Sequence, residues 1–207
     1  MSTPIDFYFD FSSPYGYFAS TRIDQLAAEF GRTVNWHPVL LGPMFKIMGT
    51  PPLVEVPIKG DYSRRDFDRT AALFDIPYNY PARFPISTLL AARAMLWIDQ
   101  NLGIAQSRQF AHAVYHAYFA QQQDIDNLDA VLRLAEKAQV EPARLAEGIQ
   151  QDDIKTALKT SIDAAIARGV FGSPFIFVDN EPFWGFDRFD YIRKWLRRPA
   201  RRAGELG

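Results

Sequence analysis

The chain has 207 residues, 48% of them hydrophobic, which is enough apolar material for one sizeable core and too much for a disordered chain. A formal net charge of -1 argues against broad attraction to nucleic acid or to an anionic membrane surface. Cysteine is absent, which excludes disulfides, thiolate metal sites and thiol chemistry by the chain's own side chains, so any thiol acting here arrives on another molecule.

The opening MSTPIDFYFD has no basic segment followed by an apolar one, and no later stretch is long and apolar enough for a bilayer span. A cytoplasmic chain without membrane attachment is therefore expected. Residues 5–11, IDFYFDF, are aromatic-rich and predict a strand. From Tyr15 to Phe30 the apolar positions Phe18, Ile23, Leu26, Ala27 and Phe30 recur at helical spacing, and Gly31 supplies a stop. Thr33 to Leu41, TVNWHPVLL, predicts a second strand, with Pro38 suited to an edge or a bend. A helix crossing between two strands predicts parallel pairing with a right-handed connection.

Prolines 43, 51, 52 and 57 then predict an irregular stretch holding at most a short helix. Helical spacing returns over 62–74, 87–102, 105–121, 127–138, 142–150 and 152–168. Ser173 to Val178 predicts a strand, Asp179-Asn180 a turn, and EPFWG its hairpin partner. A last helix is expected with Asp187 as its N-cap. The outline is an α/β unit, 1–42 plus 169–207, interrupted by an inserted loop and helical domain, 43–168. The two halves must reunite in one sheet, because neither can bury its faces alone.

Few residues in this outline point to chemistry. Ser13 followed by Pro14 is a good helix start, with the serine as cap and the proline at the first helical position. The same hydroxyl, at a helix end with unpaired N–H groups, suits a phosphate, a carboxylate or a thiolate. His112 and His116 are four apart on a helix, but no third ligand is near in sequence, so no metal site is expected. His37 reads as a core or edge histidine that could line a pocket. The basic run RKWLRRPARRA complements a helix C-terminus rather than nucleic acid.

Taken together, FYFDFSSPYGY at the start, GVFGSPFIFVDNEPFWGFDR at the end, and FKIMGTPPLVEVPIKGDYSRRDFDR and FPISTLLAARA between them carry a resemblance. The chain resembles the 2-hydroxychromene-2-carboxylate isomerases and the kappa-class glutathione transferases, in the DsbA-like branch of the thioredoxin superfamily. The resemblance spans nearly the whole chain. It implies a thioredoxin-like α/β fold with a large all-helical insertion, in which a cis-proline, here Pro174, faces the start of the first helix.

It also implies a site. Ser13 stands where thioredoxin-like oxidoreductases have their first active-site cysteine, and Gly16 where they have the second. The missing sulfur is then that of glutathione, the implied cofactor, with Ser13 as stabiliser of its thiolate. By the same resemblance the Ser173 backbone, before Pro174, pairs with the cysteinyl portion, Phe186 and Asp187 hold the γ-glutamyl end, and Lys59 meets the glycine carboxylate. Lys59 or Arg83 is a candidate for a substrate carboxylate. Two positions depart from the family pattern: Gly49 and Ser87 stand where asparagine is common.

The function implied is glutathione-dependent cis-trans type isomerisation of 2-hydroxychromene-2-carboxylate or a related small aromatic carboxylate, by a homodimer without nucleic-acid or membrane partners. A kappa-class-like transferase and a non-enzymatic thiol- or peptide-binding module are the alternatives.

Overall fold

The computed structural model describes residues 2–198. β1 (Ile5–Phe9) leads through a tight Phe11-Ser12 turn into α1 (Pro14–Ser20) and α2 (Ile23–Ala28), and β2 (Val34–Pro38) follows. The single helix expected over 15–30 is therefore broken. The hydroxyls of Ser20 and Thr21 donate to the carbonyls of Tyr17 and Phe18, both at 2.7 Å. The backbone N–H groups of Thr21 and Arg22 also bond three residues back rather than four. Local side-chain bonds of this kind compete with the helical ladder and tighten its last turn.

The stretch after β2 is more regular than its prolines suggest. α3 (Leu41–Met48) holds Pro43 as its third residue, in the first turn, where a missing N–H breaks no intrahelical bond. Gly49 ends it in the left-handed region, φ 65°, a conformation that asparagine also tolerates; the departure at this position thus keeps the backbone geometry. A 3₁₀ turn at Leu53–Glu55 precedes α4 (Lys59–Leu73).

The helical segments then follow the predicted order: α5 (Leu89–Leu102), α6 (Ile104–Phe119), α7 (Leu128–Lys137), α8 (Pro142–Gly148) and α9 (Asp152–Ala167). β3 (Phe175–Val178) and β4 (Glu181–Trp184) form the hairpin, and α10 (Phe189–Leu196) closes the described chain. Asp187 does not cap that helix. It lies inside a 3₁₀ turn, Phe186–Arg188, which inserts between hairpin and helix and moves the cap position to Arg188. Of the basic run RKWLRRPARRA, residues 193–198 are described and the rest lies outside the described residues; Arg193 pairs with Glu29 at 2.8 Å.

The four strands make one sheet in the order β2-β1-β3-β4. β1 and β2 are parallel with Phe7 opposite Trp36, and β1 and β3 are antiparallel with Phe7 opposite Ile176. Pro38 lies on an edge strand, as its lost donor requires. Strand alternation sends Ile5, Phe7 and Phe9 into the main core with Trp36, Phe18 and Tyr115. Tyr8, Phe175 and Phe177 face the other way, against Leu158, Ile162 and Ala165 of α9. Both parts of the chain thus supply one sheet, with helices on both faces. Among the described residues no helix is long and apolar enough to cross a membrane.

A polar latch holds the second face together. Arg168, just past α9, donates to Asp6 Oδ2 at 2.7 Å and to the Tyr8 hydroxyl at 3.0 Å, and covers the Phe177 ring at 3.9 Å. His37 contacts Asp6 Oδ1 at 2.9 Å and stacks on Tyr8, which makes it an edge histidine. Burial pushes the Asp6 carboxyl up, but bonds from His37, Arg168 and Asn35 outweigh it and hold the group below its ordinary 3.8. A depressed folded value contributes stability above the unfolded pKa, and that contribution is lost as pH falls through the folded one. Arg168→Ala is expected to cost about 1–2 kcal/mol at neutral pH, combining a charge-assisted bond with a cation–π contact. In urea titrations the deficit relative to wild type should shrink below pH 3.8; a deficit constant from neutral to acid pH would dissociate it from Asp6.

Candidate functional site

The first carboxyl-terminal strand end in the chain is where the candidate residues meet. β1 delivers Asp10, Ser12 and Ser13 to the sheet edge, and Ser13 caps α1: its Oγ accepts the Gly16 N–H at 3.0 Å, with Pro14 at the first helical position. The hydroxyl proton of Ser13 goes to the carbonyl oxygen of Ser173, 2.9 Å away. The two serines predicted from opposite ends of the chain are thus in direct contact, 160 residues apart. The Ser173-Pro174 bond is cis, as the resemblance implies. Among the described residues, nothing accepts the Ser173 N–H, and the Ser12 hydroxyl is buried without a partner.

Gly16 is packed from above. A Cβ built on it would lie 2.7 Å from both Ser173 Oγ and Tyr115 Oη, and 3.1 Å from Ser13 Cβ. Neither hydroxyl can readily withdraw. Ser173 Oγ accepts the Asp10 N–H at 3.0 Å, and Tyr115 Oη donates to the Asp10 carbonyl at 3.0 Å. The frame SPYG therefore has no room for a side chain at its fourth position.

The 3₁₀ turn of Phe186 and Asp187 lies against α1. The Phe186 ring is buried and packs on Phe18, Phe74 and Phe189, so that side chain belongs to the core and leaves only its backbone to a ligand. The Asp187 carboxylate is exposed, beside Arg188 at 3.1 Å and near Tyr15. Tyr15 donates to Asp66 of α4 at 2.6 Å. Burial, and then that bond, push its phenol far above the usual range, and Asp187 adds to the rise. Lys59 is exposed at the first position of α4. Arg83 is already committed: it binds Asp124 and Asp126, each at 2.7 Å, which leaves little free charge for a substrate carboxylate. His112 packs edge-on against Trp36 rather than pairing with His116 around a metal. Among the described residues no three His, Asp or Glu side chains converge as a metal set.

Residues that the sequence left unmarked complete the site. Asp10, Thr88 and Tyr115 are buried around Ser13, and their bonds join α1, α3, α5, α6 and the approach to β3. One sequence signal pointed at Asp10, namely a carboxylate in the aromatic run FYFDF, where a buried charge is costly unless it is bonded. No local pattern marked Thr88 or Tyr115.

Comparison with known proteins agrees with this geometry. The family model described as a DSBA-like thioredoxin domain matches residues 4–197. A 2-hydroxychromene-2-carboxylate isomerase of Sphingobium xenophagum is 31% identical over 199 residues, 95% of this chain and 99% of the relative. Glutathione S-transferase kappa 1 of Caenorhabditis elegans is 26% identical over 209 residues, 94% of this chain and 91% of the relative. A solved 2-hydroxychromene-2-carboxylate isomerase superposes with a TM-score of 0.83 at 24% identity, covering 94% of each chain, which speaks for the fold. With its sheet order and its cis Ser173-Pro174 bond, this chain belongs to the DSBA-like thioredoxin family, in the group that joins the 2-hydroxychromene-2-carboxylate isomerases and the kappa-class glutathione transferases.

Proposed function

We propose that this chain is a glutathione-dependent isomerase acting on 2-hydroxychromene-2-carboxylate or a related intermediate of aromatic breakdown. The observation that carries the reading is the pairing of Ser13 with a side-chain-free position at Gly16. A site built for two protein thiols would need room at both. Here the first position of the SPYG frame carries a hydroxyl, the fourth carries no side chain, and the chain has no cysteine, so a thiol has to come from a ligand.

The residues present fit glutathione. A cysteinyl amide can use the Ser173 backbone, whose N–H is unpaired among the described residues and whose carbonyl is held only by the Ser13 hydroxyl. The Ser12 hydroxyl is a further free donor at the same corner. Asp187 offers an exposed carboxylate for an ammonium group, and Lys59 an exposed cation for a carboxylate. When bound, glutathione supplies a thiolate that adds to a conjugated carbon and leaves after the former double bond has turned.

The protein's part is to hold and release one proton direction. Ser13 has its hydroxyl on Ser173 O in the ligand-free geometry. A ligand amide donating to that oxygen frees the Ser13 hydroxyl to turn toward an adjacent anion, while the Gly16 N–H keeps Oγ in place. Ser13 is thus a donor rather than a nucleophile. The cap also fixes where that donor stands, because its Oγ cannot leave without exposing a helix-end N–H.

The reading is tested with purified protein and 2-hydroxychromene-2-carboxylate, followed by its absorbance with and without glutathione. Turnover is expected to require glutathione and to return it unchanged. Stoichiometric consumption of the thiol would favour a transferase instead. Tight glutathione binding with no turnover would leave a binding module.

A further inference from the structure

Asp10 is a buried carboxylate to which the proposed function gives no task. It is 5% exposed. Its Oδ1 accepts the Ser12 N–H at 2.8 Å and the Thr88 hydroxyl at 2.7 Å, and its Oδ2 accepts the N–H of Leu41, the first residue of α3, at 2.7 Å. Its own backbone receives Ser13 N–H and Tyr115 Oη on the carbonyl, at 2.9 and 3.0 Å, and gives its N–H to Ser173 Oγ. No cation pairs with it among the described residues. Two of the three carboxylate partners are N–H groups, which can donate a proton but cannot receive one.

We propose that Asp10 is ionised in the folded protein and acts as a positioning residue, its negative charge opposing a second negative charge beside Ser13, so that the bound thiol is kept from becoming an over-stabilised anion. The inference rests on the glutathione reading. A thiolate that is too stable attacks poorly, because nucleophilicity falls with pKa and the best attacking thiol has a pKa near ambient pH. An addition followed by a departure needs a sulfur that is neither locked as the anion nor left protonated. Donors at Ser13 and the opening turn push one way, and a fixed carboxylate three residues upstream pushes the other.

The surroundings leave this role to Asp10. Of the elements packed against it, α3 and α5 present Leu41 N–H and the Thr88 hydroxyl, the approach to β3 presents Ser173, and α6 presents Tyr115 and, close by, Tyr118. Burial raises Tyr115 well above its usual range, and the Asp10 charge adds to that. Tyr118 is raised by burial first, then mainly by Asp124. Both phenols stay protonated over the working range and cannot stand in for the carboxylate. For Asp10 itself, burial pushes the pKa above the ordinary carboxyl value, and the donors at Ser12, Leu41 and Thr88 pull it only part of the way back.

The test combines the wild-type chain with Asp10→Asn. Carbon-13 NMR titration of the assigned Asp10 carboxyl should show it ionised at neutral pH, in the free protein and with glutathione or S-methylglutathione bound. Asp10 then loses its proton before the thiol does, so the coupling is read on the later step: in Asp10→Asn the ultraviolet titration of the bound thiol should fall by about one pH unit, the size of a Coulomb interaction over roughly 10 Å at an effective dielectric of about 20. S-methylglutathione, which fills the same site with no thiol to ionise, should give no such titration in either protein. A protonated Asp10 at neutral pH, or a bound thiol that titrates alike in wild type and Asp10→Asn, overturns the proposal. If neither ligand binds, the glutathione reading itself has failed, which calorimetry reports independently of any titration.

Discussion

Ser13→Ala is expected to lower glutathione-dependent turnover by about 10²–10³-fold, the usual loss when one donor to a developing anion is removed, and to raise the pKa of the bound thiol. Two structural bonds go with it, the cap on the Gly16 N–H at 3.0 Å and the bond to Ser173 O at 2.9 Å. The stability cost should be about 1–2 kcal/mol, since caps contribute about 1 kcal/mol and a buried carbonyl left unpaired adds to that. Ser13→Gly separates the two effects. Glycine replaces a cap at a cost of only a few tenths of a kcal/mol, so Ser13→Gly should recover the cap's share of the thermal stability, though not that of the Ser173 carbonyl, and none of the turnover. Turnover within threefold of wild type in both variants, with an unchanged thiol titration, would remove Ser13 from the chemistry.

Gly16→Ala should destabilise the protein although helix propensity predicts the opposite. Alanine is favoured over glycine inside a helix by about 1 kcal/mol. Here the added methyl meets Ser173 Oγ and Tyr115 Oη at 2.7 Å, and both oxygens are held by the Asp10 backbone. Overpacking of a tied core costs about 1–3 kcal/mol, and the atoms forced to move are the ones that carry Ser173 and Ser13. Glutathione affinity should therefore fall at least tenfold alongside the loss of stability, read by calorimetry and by chemical denaturation. Tyr115→Phe removes one of the two obstructing oxygens. The double variant Gly16→Ala/Tyr115→Phe should be less impaired than the sum of the singles, a coupling expected of residues in contact. Strict additivity would mean that the methyl is accommodated elsewhere.

The two variants also show how far a sequence reading reaches in this fold. Ser13 was found because its signal is local: a serine, then a proline, then a helical period. Gly16 was marked only through the resemblance, as the second cysteine position, and the clash that explains its missing side chain involves Tyr115 and Ser173, far along the chain. The same contrast holds for secondary structure. The strands, the Asp179-Asn180 turn and the helices over 89–167 follow from alternation, turn chemistry and helical spacing. The break at Thr21 and α3 around Pro43 turn on which backbone groups find partners, and spacing does not report that.

Phe186 and Asp187 make the point from the other side. Matching motifs picked both, but burial of the Phe186 ring and the 3₁₀ turn around Asp187 redistribute what each can do. Arg83 is similar, since a lone cation in a proline-rich loop looks available until Asp124 and Asp126 fold against it.

By itself the amino-acid order determined the succession of most strands and helices, the cap at Ser13, the want of any protein thiol and the kinship with the 2-hydroxychromene-2-carboxylate isomerases and kappa-class glutathione transferases. Those properties depend on residues within a turn or two of one another, or on composition. Only the tertiary structure decided that Asp10, Thr88 and Tyr115 close around Ser13 and that Asp10 ties to Ser173 Oγ, through bonds spanning 78 to 163 residues. The reason is physical. A buried polar group must find a partner wherever the fold supplies one, and the sheet that joins the two ends of the chain determines which partners come within reach.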